Sequence, residues 1–138
     1  GPVYQAGTFS GNPMSVQAGI TMLDQLDENA YNNLDEKGSY LRGSMADIID
    51  DLGLDITPAG AGSMFQVYFN PNEVCNAADA KASDAERFLI YFRELLKEGI
   101  FIPPSQFECN FLSTAHTMED LDNTAVAIEK ALKIAFEI

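Results

Sequence analysis

The sequence predicts an α+β domain: a short, mostly antiparallel sheet with helices packed on one face. Three observations carry this. Apolar residues recur at steps of three and four over long stretches, which is the period of a helix. Alternation at a step of two is confined to short stretches bounded by glycine and proline. The connections between neighbouring strands are short enough for hairpins. In order, the elements read helix, helix, strand, strand, helix, strand, strand, helix.

The chain opens on the glycine-rich stretch 1–13, GPVYQAGTFSGNP, which runs straight into a helix. Asn12 is a good N-cap and Pro13 suits the first helical position. Val16, Ile20, Leu23 and Leu26 share one face of a helix from Pro13 to about Leu26, and the acidic DENAYNN that follows (27–33) reads as a turn or bend. Tyr31, Leu34, Gly38, Leu41, Met45, Ile48 and Leu52 then form the clearest stripe in the chain, a long amphipathic helix laid on a sheet and ended by Gly53. Leu54 to Pro58 reads as an edge strand, where proline is tolerated, and Gly60-Ala61-Gly62 as a turn. Ser63 to Asn70 alternates well, with Phe65, Val67 and Phe69 to one side and Met64, Gln66 and Tyr68 to the other.

Pro71 to Asp79 reads as loop. A capping box of Ser83 and Glu86 opens a third helix, with Phe88, Leu89, Phe92, Leu95 and Leu96 buried and Gly99 at its end. Ile100 to Ile102 reads as a buried strand that Pro103-Pro104 stops, Ser105 to Asn110 as an irregular loop, and Phe111 to Ser113 as a strand. Thr117 caps the last helix, whose apolar face is Leu121, Ala125, Ile128, Leu132 and Ala135.

Composition narrows the function classes. The 138 residues, 46% of them hydrophobic, suit a globular fold with a moderate core. Eight basic residues against 21 acidic ones give a net charge of −13, which argues against nucleic acid and anionic membrane as partners. No apolar run approaches the roughly 20 residues of a membrane span. Cys75 and Cys109 lie far apart, as expected of reduced thiols in a cytoplasmic protein. A single histidine and no cysteine cluster argue against a zinc site. With no initiator methionine and a glycine-rich loop at residue 1, the chain reads as a soluble piece of something longer.

Three places could carry chemistry. Gly7-Thr8 sets a hydroxyl beside backbone N–H groups near a helix start, which suits a phosphate; the plainer reading is a hydroxyl satisfying a local turn. Pro103-Pro104 stiffens the loop that carries Glu108, holding that carboxylate at low entropic cost; the alternative is a solvated surface Glu. His116 is either an acid or base, or a structural residue ahead of the last helix. None of Lys37, Lys81, Lys97, Lys130 and Lys133 reads as buried in apolar surroundings.

At these same residues the chain resembles a known family. GPVYQAGTFSGNP, GSMF (62–65), DAKASDAERF (79–88), PPSQFE (103–108) and FLSTAHT (111–117) are similar to the glutamate-1-semialdehyde 2,1-aminomutases. These belong to the class-III subgroup of pyridoxal-phosphate enzymes that also holds the ω-aminotransferases. The resemblance covers essentially the whole chain, and its PPSQFE and FLSTAHT pieces are the more specific ones. It implies the small C-terminal domain of a fold-type I enzyme (29–138), preceded by the phosphate-contacting loop and connecting helix that end the large domain (1–28).

The family is homodimeric and takes a small-molecule substrate. It moves an amino group within glutamate-1-semialdehyde to give 5-aminolevulinate for tetrapyrrole synthesis, using pyridoxal 5'-phosphate and its pyridoxamine form. By position, Gly7 and Thr8 match the contact to the phosphate of the neighbouring subunit's cofactor, and Glu108 matches a carboxylate on the substrate side. The family's Schiff-base lysine lies upstream, so no catalytic residue falls in this chain and it should be inactive alone. Cys109-Asn110 departs from the small residues the family carries after that Glu.

Overall fold

The computed structural model describes residues 2–4 and 6–138; Gly1 and Gln5, both in the glycine-rich stretch, lie outside the described residues. Two compact units result, residues 1–32 and 33–138. The first holds helix α1, Pro13–Asp24. Asn12 caps it as its sequence predicts, its side chain accepting from Met14 N at 3.0 Å and Ser15 N at 3.2 Å. No residue of α1 is buried.

Helix α2 spans Glu28–Asp51, so the acidic stretch expected to bend is helical instead. Asp27 makes the difference: its carboxylate accepts from Ala30 N at 2.8 Å, satisfying one of the N–H groups that a helix start leaves open. The inward stripe of α2 is Gly38, Leu41, Met45 and Ile49. It follows the predicted period, but Tyr31 is exposed and Ile49 replaces Ile48 at the centre.

Three antiparallel strands follow in the order β1-β2-β3: β1 Thr57–Ala61, β2 Met64–Tyr68 and β3 Asn110–Phe111. Strand β1 begins three residues later than expected and runs through Gly60-Ala61. The hairpin loop is only Gly62-Ser63, and a φ of +56° at Gly62 lets two residues reverse the chain. Pro58 sits on this edge strand opposite Val67, where its missing N–H costs no ladder bond on the outer side. Ile100–Ile102 forms no strand; Ile102 is buried as a core side chain in an unpaired segment.

Helix α3, Ala77–Lys81, lies where a loop was expected. Asn76 caps it by accepting from Ala78 N and Asp79 N, and five residues are too few to show a period. Helix α4, Ala85–Lys97, is capped by Asp84 accepting from Arg87 N at 2.9 Å. The predicted Ser83–Glu86 box is therefore one residue out of register, and the Ser83 hydroxyl is buried with no hydrogen-bond partner among the described residues. The inner face of α4 is Phe88, Tyr91 and Leu95, while Leu89 and Leu96 are exposed. Helix α5, Met118–Ala135, buries Leu121, Ile128, Leu132 and Ala135 as predicted; Ala125 is half-buried, and Ala127 and Ala131 complete the stripe.

The inward faces of α2, α4 and α5 meet Phe65, Val67 and Phe69 in one core. Phe69 sits in an aromatic cluster, edge-on to Phe88 at 6.3 Å and stacked on Phe136 at 5.9 Å. Gly38 is where α2 comes closest to the hairpin: an added Cβ would run into the Gly62 carbonyl oxygen. Arg42, one turn on, donates to the Gly62 and Met64 carbonyls and so fastens the hairpin to the helix.

Thr117 and Asp120 form a reciprocal capping box on α5. The Thr117 N–H and hydroxyl both donate to the Asp120 carboxylate at 2.7 Å and hold its pKa below the usual carboxylate value; the charge of Lys37 acts in the same direction. A carboxyl whose pKa is lower folded than unfolded stabilises the fold above its unfolded pKa, and the contribution fades as pH falls through the folded value. Asp120→Ala should therefore lower the melting temperature at neutral pH, with the gap to the parent narrowing as pH drops below about 4. A gap unchanged at acid pH would mean that the carboxylate's charge plays no part.

Candidate functional site

In the first unit, residues 7–12 form a double turn. Ser10 N donates to Gly7 O and Asn12 N to Phe9 O, both at 3.0 Å. A Cβ on Gly7 would meet the Ser10 hydroxyl at 2.8 Å, so glycine lets the turn close. Thr8 and Phe9 stand exposed at its tip. The Thr8 hydroxyl and the Thr8 and Phe9 N–H groups have no hydrogen-bond partner among the described residues. These donors lie just ahead of the capped N-terminus of α1, where the helix dipole is positive. No charged side chain occurs before Asp24. Such a set suits a phosphate, whose oxygens need several donors and no competing carboxylate.

In the second unit, Glu108 closes a turn that begins at Ser105. Phe107 N donates to the Ser105 hydroxyl at 3.2 Å and Glu108 N to the Ser105 carbonyl at 3.1 Å. The Glu108 side chain is exposed and makes no hydrogen bond or ion pair among the described residues. It borders a groove of about 320 Å³ whose walls include Gly60, Met64, Tyr68 and Phe107. A carboxylate beside mostly apolar walls is the arrangement of a small-molecule site, in which few polar groups fix orientation.

Gln66, Gln106 and Asn110 behind this turn went unrecognised in the sequence, and all three are buried. Asn110 lies two residues beyond Glu108. Its amide donates to Phe65 O and Gln66 Oε1, each at 3.1 Å, and so ties the loop to β2. The available signal was one glutamine in an apolar strand and two amides flanking Glu108.

His116 is structural in its contacts: its Nδ1 accepts from Ser113 N at 2.9 Å and lies 3.0 Å from the Ser113 hydroxyl. Lys37 is buried, where the sequence places no lysine in buried, apolar surroundings. It is 8% exposed, and its ammonium donates to the Thr114 carbonyl at 3.0 Å, joining α2 to the loop before α5. The two cysteines are free thiols. Among the described residues no group of His, Cys, Asp and Glu could hold a metal ion, and no helix is long and apolar enough to cross a membrane.

No family model matches the chain. A relative named glutamate-1-semialdehyde 2,1-aminomutase, from Methanobrevibacter smithii, is 66% identical over 137 residues, 99% of this chain and 32% of its own length. Across nearly its whole length the chain is similar to the glutamate-1-semialdehyde 2,1-aminomutases. It spans about a third of the length of the curated relatives it matches. Among solved structures, a β-phenylalanine aminotransferase from Variovorax paradoxus superposes with a TM-score of 0.86 at 28% identity, covering all of this chain and 32% of that one. A transaminase with PLP bound gives 0.80 at 29% identity, covering 99% of this chain and 30% of that one. Both likenesses agree with the small α+β architecture described above.

Glu108→Gln removes a charge from an exposed, unpartnered side chain. Stability should change by less than about 0.5 kcal/mol. A larger fall in thermal or denaturant unfolding would assign the carboxylate to the fold.

Proposed function

We propose that this chain is the C-terminal part of an isomerase that converts glutamate-1-semialdehyde to 5-aminolevulinate by intramolecular amino transfer, in tetrapyrrole synthesis. The observation that carries the proposal is 66% identity, across 99% of the chain, to a relative of that name. Residues 1–28 are then the phosphate-contacting loop and connecting helix that end the large domain, and 29–138 the small C-terminal domain. The active form is a homodimer, and the catalytic lysine comes from the part of the enzyme outside this chain. The one buried lysine here, Lys37, is already bonded to a main-chain carbonyl.

The cofactor is pyridoxal 5'-phosphate, cycling with its pyridoxamine form, and when bound it supplies the electron sink for the chemistry. This chain's contribution is placement. The Thr8 hydroxyl, with the N–H groups around Gly7 and Thr8, holds the phosphate of the neighbouring subunit's cofactor. Glu108 lies on the substrate side, where an exposed carboxylate beside an apolar groove attracts and orients a substrate amine. Neither role asks this chain to form a covalent bond.

The full-length protein should form 5-aminolevulinate from glutamate-1-semialdehyde with no external amino acceptor. An absolute requirement for an oxo-acid acceptor would replace this reading with that of an ω-aminotransferase. In the same protein, Thr8→Val should weaken cofactor retention by roughly 1–3 kcal/mol, the value of one charge-assisted hydrogen bond. An unchanged cofactor titration would remove Thr8 from the phosphate site. Glu108→Gln should lower kcat/KM while the melting temperature holds.

A further inference from the structure

Strand β3 is only two residues long, and its pairing with β2 ends at Phe65 opposite Asn110. Beyond that point the chain has already turned through 105–108, so on the side away from β1 no strand lies beside Gln66. Gln66 fills the gap with its side chain. It is 5% exposed, on the face of β2 opposite Phe65 and Val67. Its Nε2 donates to the Glu108 carbonyl, and to the Gln106 carbonyl at 3.4 Å. Its Oε1 accepts from Val67 N at 3.0 Å and from the Asn110 amide at 3.1 Å. A primary amide has two N–H donors and one carbonyl acceptor with two lone pairs. All four positions are used.

We propose that Gln66 is a positioning residue for Glu108, setting where that carboxylate stands beside the groove. The proposal rests on the reading of Glu108 as a substrate-side carboxylate. The Glu108 backbone is held at both ends, its N–H by the Ser105 carbonyl and its carbonyl by the Gln66 amide. Its side chain makes no hydrogen bond or ion pair among the described residues, so its place is set chiefly by the backbone. Buried amides of this kind are costly to leave unpaired, so the anchor is rigid where the groove is open. Gln66 itself need not contact substrate.

The test uses the full-length holoenzyme as parent, Gln66→Met, Glu108→Gln and the double variant. Methionine keeps the length and removes all four hydrogen bonds. Gln66→Met should lower kcat/KM by up to about 100-fold, the scale set by ångström misplacement of a reacting group, with the bound-cofactor absorbance unchanged. In the Glu108→Gln background the same substitution should cost almost nothing further. Full multiplication of the two losses, or parental kinetics for Gln66→Met, would overturn the proposal. If Gln66→Met does not fold, Gln66→Asn serves, since it keeps a neutral amide that is one methylene shorter and loses reach to the Gln106 and Glu108 carbonyls; parental kinetics there overturn the proposal equally. Parental kinetics for Glu108→Gln alone would instead fail the reading of Glu108, and the positioning role with it.

Discussion

The structure depends on strand β2 being covered on both faces. Its Phe65–Val67 face is met by the helices, as an ordinary amphipathic strand requires. Its other face carries Gln66, and a polar side chain there would normally look into water. The loop after Pro103-Pro104 folds across it instead, so the amide is buried and must find all its partners within the protein. Main-chain carbonyls at Gln106 and Glu108 take its N–H groups, and Val67 N and the Asn110 amide donate to its oxygen. The polar residue thus specifies where the loop lands, because any other register would leave an unpaired amide in the interior. The groove and its carboxylate follow from that landing.

Helix α2 fixes the other wall of the same groove. Gly38 lets the helix backbone meet the hairpin loop, and Arg42 binds the carbonyls on either side of that loop. These contacts hold Gly60 and Met64, which line the groove, against a helix whose Leu41 and Met45 are wholly buried. One turn earlier Lys37 reaches the Thr114 carbonyl and steadies the loop before α5. Burying a lysine costs desolvation, and a single well-placed carbonyl only partly offsets it. Its position between two elements is consistent with a role in register.

Much of this was legible in the sequence where periodicity spoke. The stripes of α2 and α5, the alternation of β2 and the caps at Asn12 and Thr117 depend on near neighbours and were read directly. The misreadings share a cause. The α4 cap fell on Asp84 and not Ser83, and α3 formed behind Asn76, because caps compete within one or two residues and tertiary packing chooses among them. The segment 100–102 has strand composition but no strand to pair with, and composition cannot report a missing partner. Glu108 could be singled out from its stiff loop. Its anchor could not, since Gln66 on the polar face of an alternating strand reads as solvent-exposed until the loop that covers it is known.

The glycine-rich loop, proposed above to hold a phosphate, poses the opposite electrostatic problem, an anion contact on a chain of net charge −13. Two unit charges 4 Å apart repel by about 4 kcal/mol near a protein surface, so a single neighbouring carboxylate would cancel several hydrogen bonds to a phosphate. Within its own unit the loop avoids this by distance. The first carboxylate is Asp24, at the far end of α1, about 16 Å along the helix axis at 1.5 Å per residue. That is about two Debye lengths at physiological salt. No lysine or arginine stands near the loop in sequence either. Whatever attraction it has for an anion comes from neutral N–H and hydroxyl donors and the helix dipole, so it depends on geometry. That explains why a turn closed by Gly7 and a helix capped by Asn12 matter there more than any charged side chain.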